Sequence, residues 1–150
     1  MSAAQFFGLA LLGVAAGASF VVQAAVNAKL RTALGSPTWA AFMSYAGGTL
    51  TMLIVLLAAR EPWLTPGTLA RPDWWSWTGG FFGAVYIVIS ILLLPRLGTA
   101  TIVALIVLGQ MVASVAFDHF GAFGVPKHAV DLPRIAGVLL LIGGVVLIRR

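Results

Sequence analysis

From residue 4 to residue 148 the chain is a succession of long apolar runs, and almost no charge falls inside them. Five runs can be marked off, at about 4–30, 37–59, 74–94, 99–118 and 132–148. About 20 apolar residues in a helix cross a hydrocarbon core about 30 Å thick. The first four runs meet that length, and the fifth lies near its short limit. Charged residues make up 9% of the chain and hydrophobic ones 61%, whereas a soluble domain is about 25% charged. That leaves too little polar surface to face water. The pattern predicts an all-α integral membrane protein with five transmembrane helices, forming a single domain over 1–150.

The net charge of +5 would suggest nucleic acid in a soluble protein. Here the basic residues sit singly or in pairs between apolar runs, where the positive-inside rule accounts for them. No nucleic-acid partner is expected; the expected partner is the lipid bilayer. Five spans would put the termini on opposite sides. One side would carry five basic residues (Lys29, Arg31, Arg96, Arg149 and Arg150) and the other four (Arg60, Arg71, Lys127 and Arg134). This favours an inside C-terminus and an outside N-terminus, but by a single charge. So small a bias suits a chain that inserts both ways. The first run could be mistaken for a signal peptide. It carries no Lys or Arg ahead of its apolar stretch and is longer than a signal core, so it reads as a retained span.

Punctuation residues mark the helix ends. Gly35 suits a left-handed C-terminal position, Ser36 an N-cap and Pro37 a first helical turn. Asp73 and Asp131 are placed to cap the third and fifth runs. Residues 60–73 contain three prolines and a glycine, which argues against helix there. Trp63, Trp74, Trp75 and Trp77 crowd the start of the third run. They read as an interfacial belt, with a ligand-stacking cluster as the sharper alternative. Pro95-Arg96-Leu97-Gly98 reads as a tight turn making the third and fourth runs antiparallel neighbours.

Polar residues inside the runs are few and regularly spaced. Ser19, Gln23 and Asn27 recur every four residues in the first run, and Gln110, Ser114 and Asp118 do so in the fourth. Four residues advance a helix by about 400°, so each set forms one slowly drifting stripe. An unpaired amide in hydrocarbon costs several kcal/mol, so these groups need protein or a wet cavity. Arg31 continues the first series but reads better as an interfacial charge ending the helix. Taken singly, each polar residue could serve helix–helix hydrogen bonding, worth about 0.6 kcal/mol on average. As a set, Ser19, Gln23, Asn27, Gln110 and Ser114 are expected to line a substrate pathway between the first and fourth helices, with Tyr86 and Ser90 of the third completing it. Gly13, Gly17, Ala40, Ser44, Gly48, Gly79 and Gly83 are expected to be close-packing positions.

Asp118 is the one carboxylate within reach of a span. With His119 it is a candidate for ion or proton coupling, although its place at the end of a run also fits an interfacial charge. No mid-span acid exists to drive exchange of lipophilic cations, which leaves neutral or anionic solutes. His119 and His128 lack metal-ligand spacing, and Ser114, Asp118 and His119 cannot converge as a triad on one helix. There is no phosphate-binding Gly-Lys motif and no cysteine. No catalytic residue, metal or cofactor is expected, and the chain does not read as an enzyme.

The segments Gln23-Ala-Ala-Val-Asn27-Ala-Lys-Leu, Ser44-Tyr-Ala-Gly-Gly48-Thr, Pro95-Arg-Leu-Gly98, Gly109-Gln110 with Asp118-His119-Phe-Gly121, and Gly143-Gly-Val-Val-Leu-Ile resemble the YdcZ-type family of the drug/metabolite transporter superfamily. The likeness runs through nearly the whole chain in order. It implies a five-helix inner-membrane transporter of unassigned substrate, similar to one half of the larger EamA-like members, which look like two inverted five-helix halves in one chain. The small multidrug members use a membrane-embedded Glu in the first helix, which this sequence lacks. The expectation is a secondary transporter exporting a small solute by alternating access. An odd number of helices suits an antiparallel homodimer of dual topology, because a second, inverted copy supplies the inverted repeat common in transporters. A different class, a non-transporting scaffold or partner subunit, would pack its stripes dry.

Overall fold

The computed structural model describes residues 2–149 and, among them, contains helices and no strands. The helices are α1 (Ala3–Leu34), α2 (Pro37–Ala58), α3 (Pro66–Leu69), α4 (Gly79–Leu97), α5 (Thr99–Phe120) and α6 (Leu132–Ile148). Short 3-10 turns cover Trp74–Thr78 and Ala122–Gly124. Four helices, Ala3–Leu34, Pro37–Ala58, Trp74–Leu97 and Thr99–Phe120, are long and apolar enough to cross a membrane. The shorter apolar helix Leu132–Ile148 has 17 residues, about 26 Å at 1.5 Å per residue. This is an all-α membrane protein. Two compact units divide it, residues 1–95 and 96–150.

In the first unit, the break between α1 and α2 forms as its residues dictate. Gly35 takes φ 65°, the Ser36 side chain accepts a hydrogen bond from the Trp39 amide at 3.2 Å, and Pro37 opens α2. The first helix does not end at Arg31 but runs on to Leu34. Its 32 residues span about 48 Å, more than the hydrocarbon core.

The far end of α2 closes in a Schellman arrangement. The Arg60 amide donates to the Leu57 carbonyl and the Glu61 amide to the Leu56 carbonyl, each at 3.2 Å. This motif wants a left-handed residue just past the helix, and Arg60 supplies it at φ 55° without being glycine. The loop that follows is not free of helix. Thr65 caps the single turn α3, its hydroxyl accepting from the Thr68 amide at 3.3 Å, and Pro66 fits the first helical position. Asp73 caps the turn leading into α4, accepting from the Ser76 amide at 3.2 Å. Trp74 and Trp75 stack at 3.8 Å, and both are exposed, as are Trp63 and Trp77.

The third run does not stop before Pro95. Helix α4 continues through Pro95 to Leu97, and the break comes at Gly98, whose φ of 78° interrupts the helical path. Proline inside a helix removes the amide that would bond to the carbonyl four residues earlier, here that of Ile91. The Arg31 guanidinium fills the gap, donating from Nη1 to the Ile91 carbonyl at 3.0 Å. Arg31 is therefore a structural clasp between α1 and α4, not merely a charge at a helix end.

The core of this unit is small. Ala40 and Ala41 of α2 meet Ile87 and Ile91 of α4, all buried, with Leu30, Tyr86 and Val88 packed against them. The α2–α4 contact is made by side chains, while the close backbone approach in this unit is between α1 and α2; close van der Waals contact is what holds helices together in lipid. Most other large apolar side chains, such as Leu11, Phe42, Ile54 and Phe81, are exposed. In a bilayer these face acyl chains, which are as apolar as they are.

The second unit is an α5–α6 hairpin with the turn at 122–124 packed on α5. Gly121 ends α5 at φ 65°, and the Asp131 side chain caps α6, accepting from the Arg134 amide at 3.0 Å.

Candidate solute cleft

Inside the first unit a cleft of about 430 Å³ lies among α1, α2 and α4. Its lining is Gln23 from α1, Ser44, Tyr45, Gly48, Thr49 and Met52 from α2, and Tyr86 and Ile87 from α4. Helical spacing produces this wall. Ser44, Gly48 and Met52 are each four apart, and Tyr45 and Thr49 form the adjacent row. Small side chains at Ser44 and Gly48 leave the groove open: a Cβ added to Gly48 would meet nothing within 4 Å.

Two aromatic contacts shape the cleft. The Phe20 and Tyr86 rings lie 5.3 Å apart, tying α1 to α4. Tyr45 reaches across to α4 at Gly83, where an added Cβ would sit 2.5 Å from the Tyr45 hydroxyl. Gly83 is thus a close-approach glycine, admitting a tyrosine side chain rather than a helix backbone. The Tyr86 hydroxyl is buried without a hydrogen-bond partner, the one such side-chain atom among the described residues. A buried hydroxyl left unpaired costs about 1–3 kcal/mol, and this one lies behind the cleft wall rather than on it.

The residues singled out in the sequence are distributed as follows. Gln23 and Tyr86 come together in the cleft. Ser19 is exposed on α1 and Asn27 is buried at 4% exposure; neither lines the cleft. Ser90 is also buried, and its hydroxyl donates to the Tyr86 carbonyl of its own helix at 2.8 Å. Gln110 and Ser114 are exposed on α5 in the second unit. Of the packing positions, Ala40 is fully buried at 0% exposure. Ser44 and Gly48 line the cleft. Gly13, Gly17 and Gly79 have open space where a Cβ would be. Tyr45, Thr49 and Met52 escaped the sequence reading. Their signal was the row beside Ser44 and Gly48, which a small-residue pattern alone does not reveal.

Asp118 and His119 hold the loop of the second unit in place. The Asp118 carboxylate pairs with the Arg134 guanidinium at 3.0 Å, with both side chains about one-third exposed. Its backbone carbonyl accepts from the His128 amide at 2.8 Å. His119 Nδ1 accepts from the Val130 amide at 3.2 Å. Together these bonds pin residues 128–131 to the end of α5.

Comparison with known proteins places the chain in a family. The model described as "Putative inner membrane exporter, YdcZ" matches residues 8–147. The "Inner membrane protein YdcZ" of Escherichia coli (strain K12) is 26% identical over 147 residues, covering 97% of each chain. No solved structure matches.

Proposed function

Because the chain belongs to the YdcZ family of inner membrane exporters, we propose that it is a secondary transporter, exporting a small solute by alternating access, and that the cleft in the first unit is where the solute binds. The observation that carries this reading is the convergence of Gln23, Ser44, Thr49 and Tyr86 from three helices on one cleft within the membrane-spanning part of the unit. Membership supports a multi-pass protein of the inner membrane that exports rather than catalyses. Gln110 and Ser114 supply polar lining on the second unit. The working form is an antiparallel homodimer in which α6 crosses as a fifth span. The near-balanced basic residues on the two sides support dual insertion, and the inverted copy provides the second set of helices.

Two experiments test this reading. Profiling small molecules in the medium of cells expressing the wild type, Gln23→Leu or Tyr86→Phe should show one or more solutes enriched only by the wild type. If the variants enrich the same solutes equally, the cleft is not the path; if the wild type enriches none over empty vector, a scaffold role replaces export. Reporter domains fused to the C-terminus should register on both sides of the membrane. A single orientation removes the antiparallel dimer.

A further inference from the structure

The cleft has an electrostatic character that narrows what it can take. None of its lining residues carries a carboxylate, an ammonium or a guanidinium. The basic side chain that reaches between α1 and α4, Arg31, spends its Nη1 on the Ile91 carbonyl that Pro95 leaves without an amide, and it does not line the cleft. An anion entering would meet hydroxyls and an amide but no countercharge. A cation would meet two tyrosine rings and no carboxylate. Moving either ion out of water costs several kcal/mol after relaxation, and a cation–π contact returns only about 0.5–2 kcal/mol. The balance goes against charge of either sign.

What the cleft does offer is specific. Tyr45 and Tyr86 contribute aromatic side chains to the lining, and Met52 and Ile87 contribute apolar ones. Gln23, exposed on the cleft wall, can donate and accept, whereas the Tyr86 hydroxyl is buried behind the wall. At about 430 Å³ the space falls in the range of small-molecule sites, about 300–1,000 Å³. Resting on the reading of this cleft as the solute site, we propose that the transported solute is an uncharged, flat molecule bearing a hydrogen-bond acceptor for the Gln23 amide, such as an aromatic or heteroaromatic amide.

The test uses three probes of similar shape and different charge: para-fluorobenzamide, para-fluorobenzoate and para-fluorobenzyltrimethylammonium. Binding to the purified, detergent-solubilised protein is read by fluorine NMR. Partition into detergent is subtracted with a plugged protein, Gly48→Phe, which grows a ring into the cleft from a position with open space. Should that variant fold poorly, the plug is installed after folding by alkylating a Thr49→Cys variant, in a chain that has no other cysteine. The expected result is plug-sensitive binding of the amide, at least about tenfold weaker binding of both ions, and about a tenfold loss of amide affinity in Gln23→Leu, one hydrogen bond being worth up to about 1.5 kcal/mol. Plug-sensitive binding of either ion as tight as the amide overturns the uncharged-solute proposal and leaves the cleft as the site. Binding of all three probes that no plug reduces, or no binding at all, also overturns the proposal. In that case the rate at which Thr49→Cys reacts with a water-soluble maleimide decides whether the cleft is a solute site: a protected thiol removes that reading too.

Discussion

The two units of the chain differ in what lines their clefts. In the first, polar groups lie inside the span and gather on a cleft: Gln23, Ser44, Thr49 and Tyr86 have no charged partner, and the Tyr86 hydroxyl has no partner at all. In the second, the polar groups with defined partners sit at one end of the hairpin, where Asp118 pairs with Arg134 and His119 accepts from Val130. Its clefts along α5 and α6 are lined almost wholly by Val, Leu, Ile and Ala. The difference separates polar groups that pair to build the fold from polar groups the fold leaves unpaired. Unpaired polarity in mid-span is costly, so it marks function; paired polarity at a helix end costs little and marks architecture.

The sharpest way to break this contrast is at Arg31, the charged group of the first unit that the account assigns to structure. Arg31→Met should strand the Ile91 carbonyl and lower stability by about 1–3 kcal/mol. Pro95→Ala restores the missing amide, so it should stabilise α4, and the double variant should recover most of the loss. Thermal unfolding in detergent of the two single variants and the double variant measures the coupling; a double variant as unstable as Arg31→Met alone would mean the carbonyl is not what Arg31 serves.

A smaller effect is expected at the end of α2. Arg60→Gly relieves a left-handed backbone at a non-glycine position and should stabilise by about 1 kcal/mol. It also leaves three basic residues facing five across the membrane, which should push the C-terminal reporter toward the inside.

In the second unit, Asp118→Asn should cost no more than about 1 kcal/mol, since both partners are about one-third exposed and water screens the pair. Unlike Gln23→Leu, it should leave exported solutes unchanged. A loss of export in Asp118→Asn at normal protein level would return ion coupling to Asp118 and erase the contrast between the units. Least of all should Gln23→Leu alter stability, by less than about 0.5 kcal/mol, because its side chain is exposed; a large loss would make the amide a structural strut.

Local chemistry was the most legible part of the sequence. Ser36, Asp73 and Asp131 each cap the helix that follows, and Gly35 takes the left-handed turn, because these effects depend on residues three or four apart. The all-helical membrane fold was legible for the same reason, since run length is a local property. The cleft was half legible. Gln23 and Tyr86 stood out as polar groups in oil, but Ser44 and Gly48 read as a packing seam. Small residues four apart can either admit a neighbour or leave a groove, and only the partner across the gap, here Tyr45 against Gly83, decides which. Long-range pairs stayed hidden. Nothing in the run around Arg31 points to a carbonyl sixty residues away, although Pro95 announces that some carbonyl must look elsewhere. The segment Pro95-Arg96-Leu97-Gly98 reads as a tight turn, yet the helix continues through Pro95 to Leu97 and breaks only at Gly98.

The central claim is that the cleft of the first unit is wet and reachable, not a dry packing defect. Single cysteines at Thr49, in the cleft, and at Phe42, exposed on α2 outside it, can be treated in intact membranes with a water-soluble maleimide. The account predicts rapid labelling at Thr49 and almost none at Phe42, where lipid covers the thiol. Equal protection of the two would contradict it.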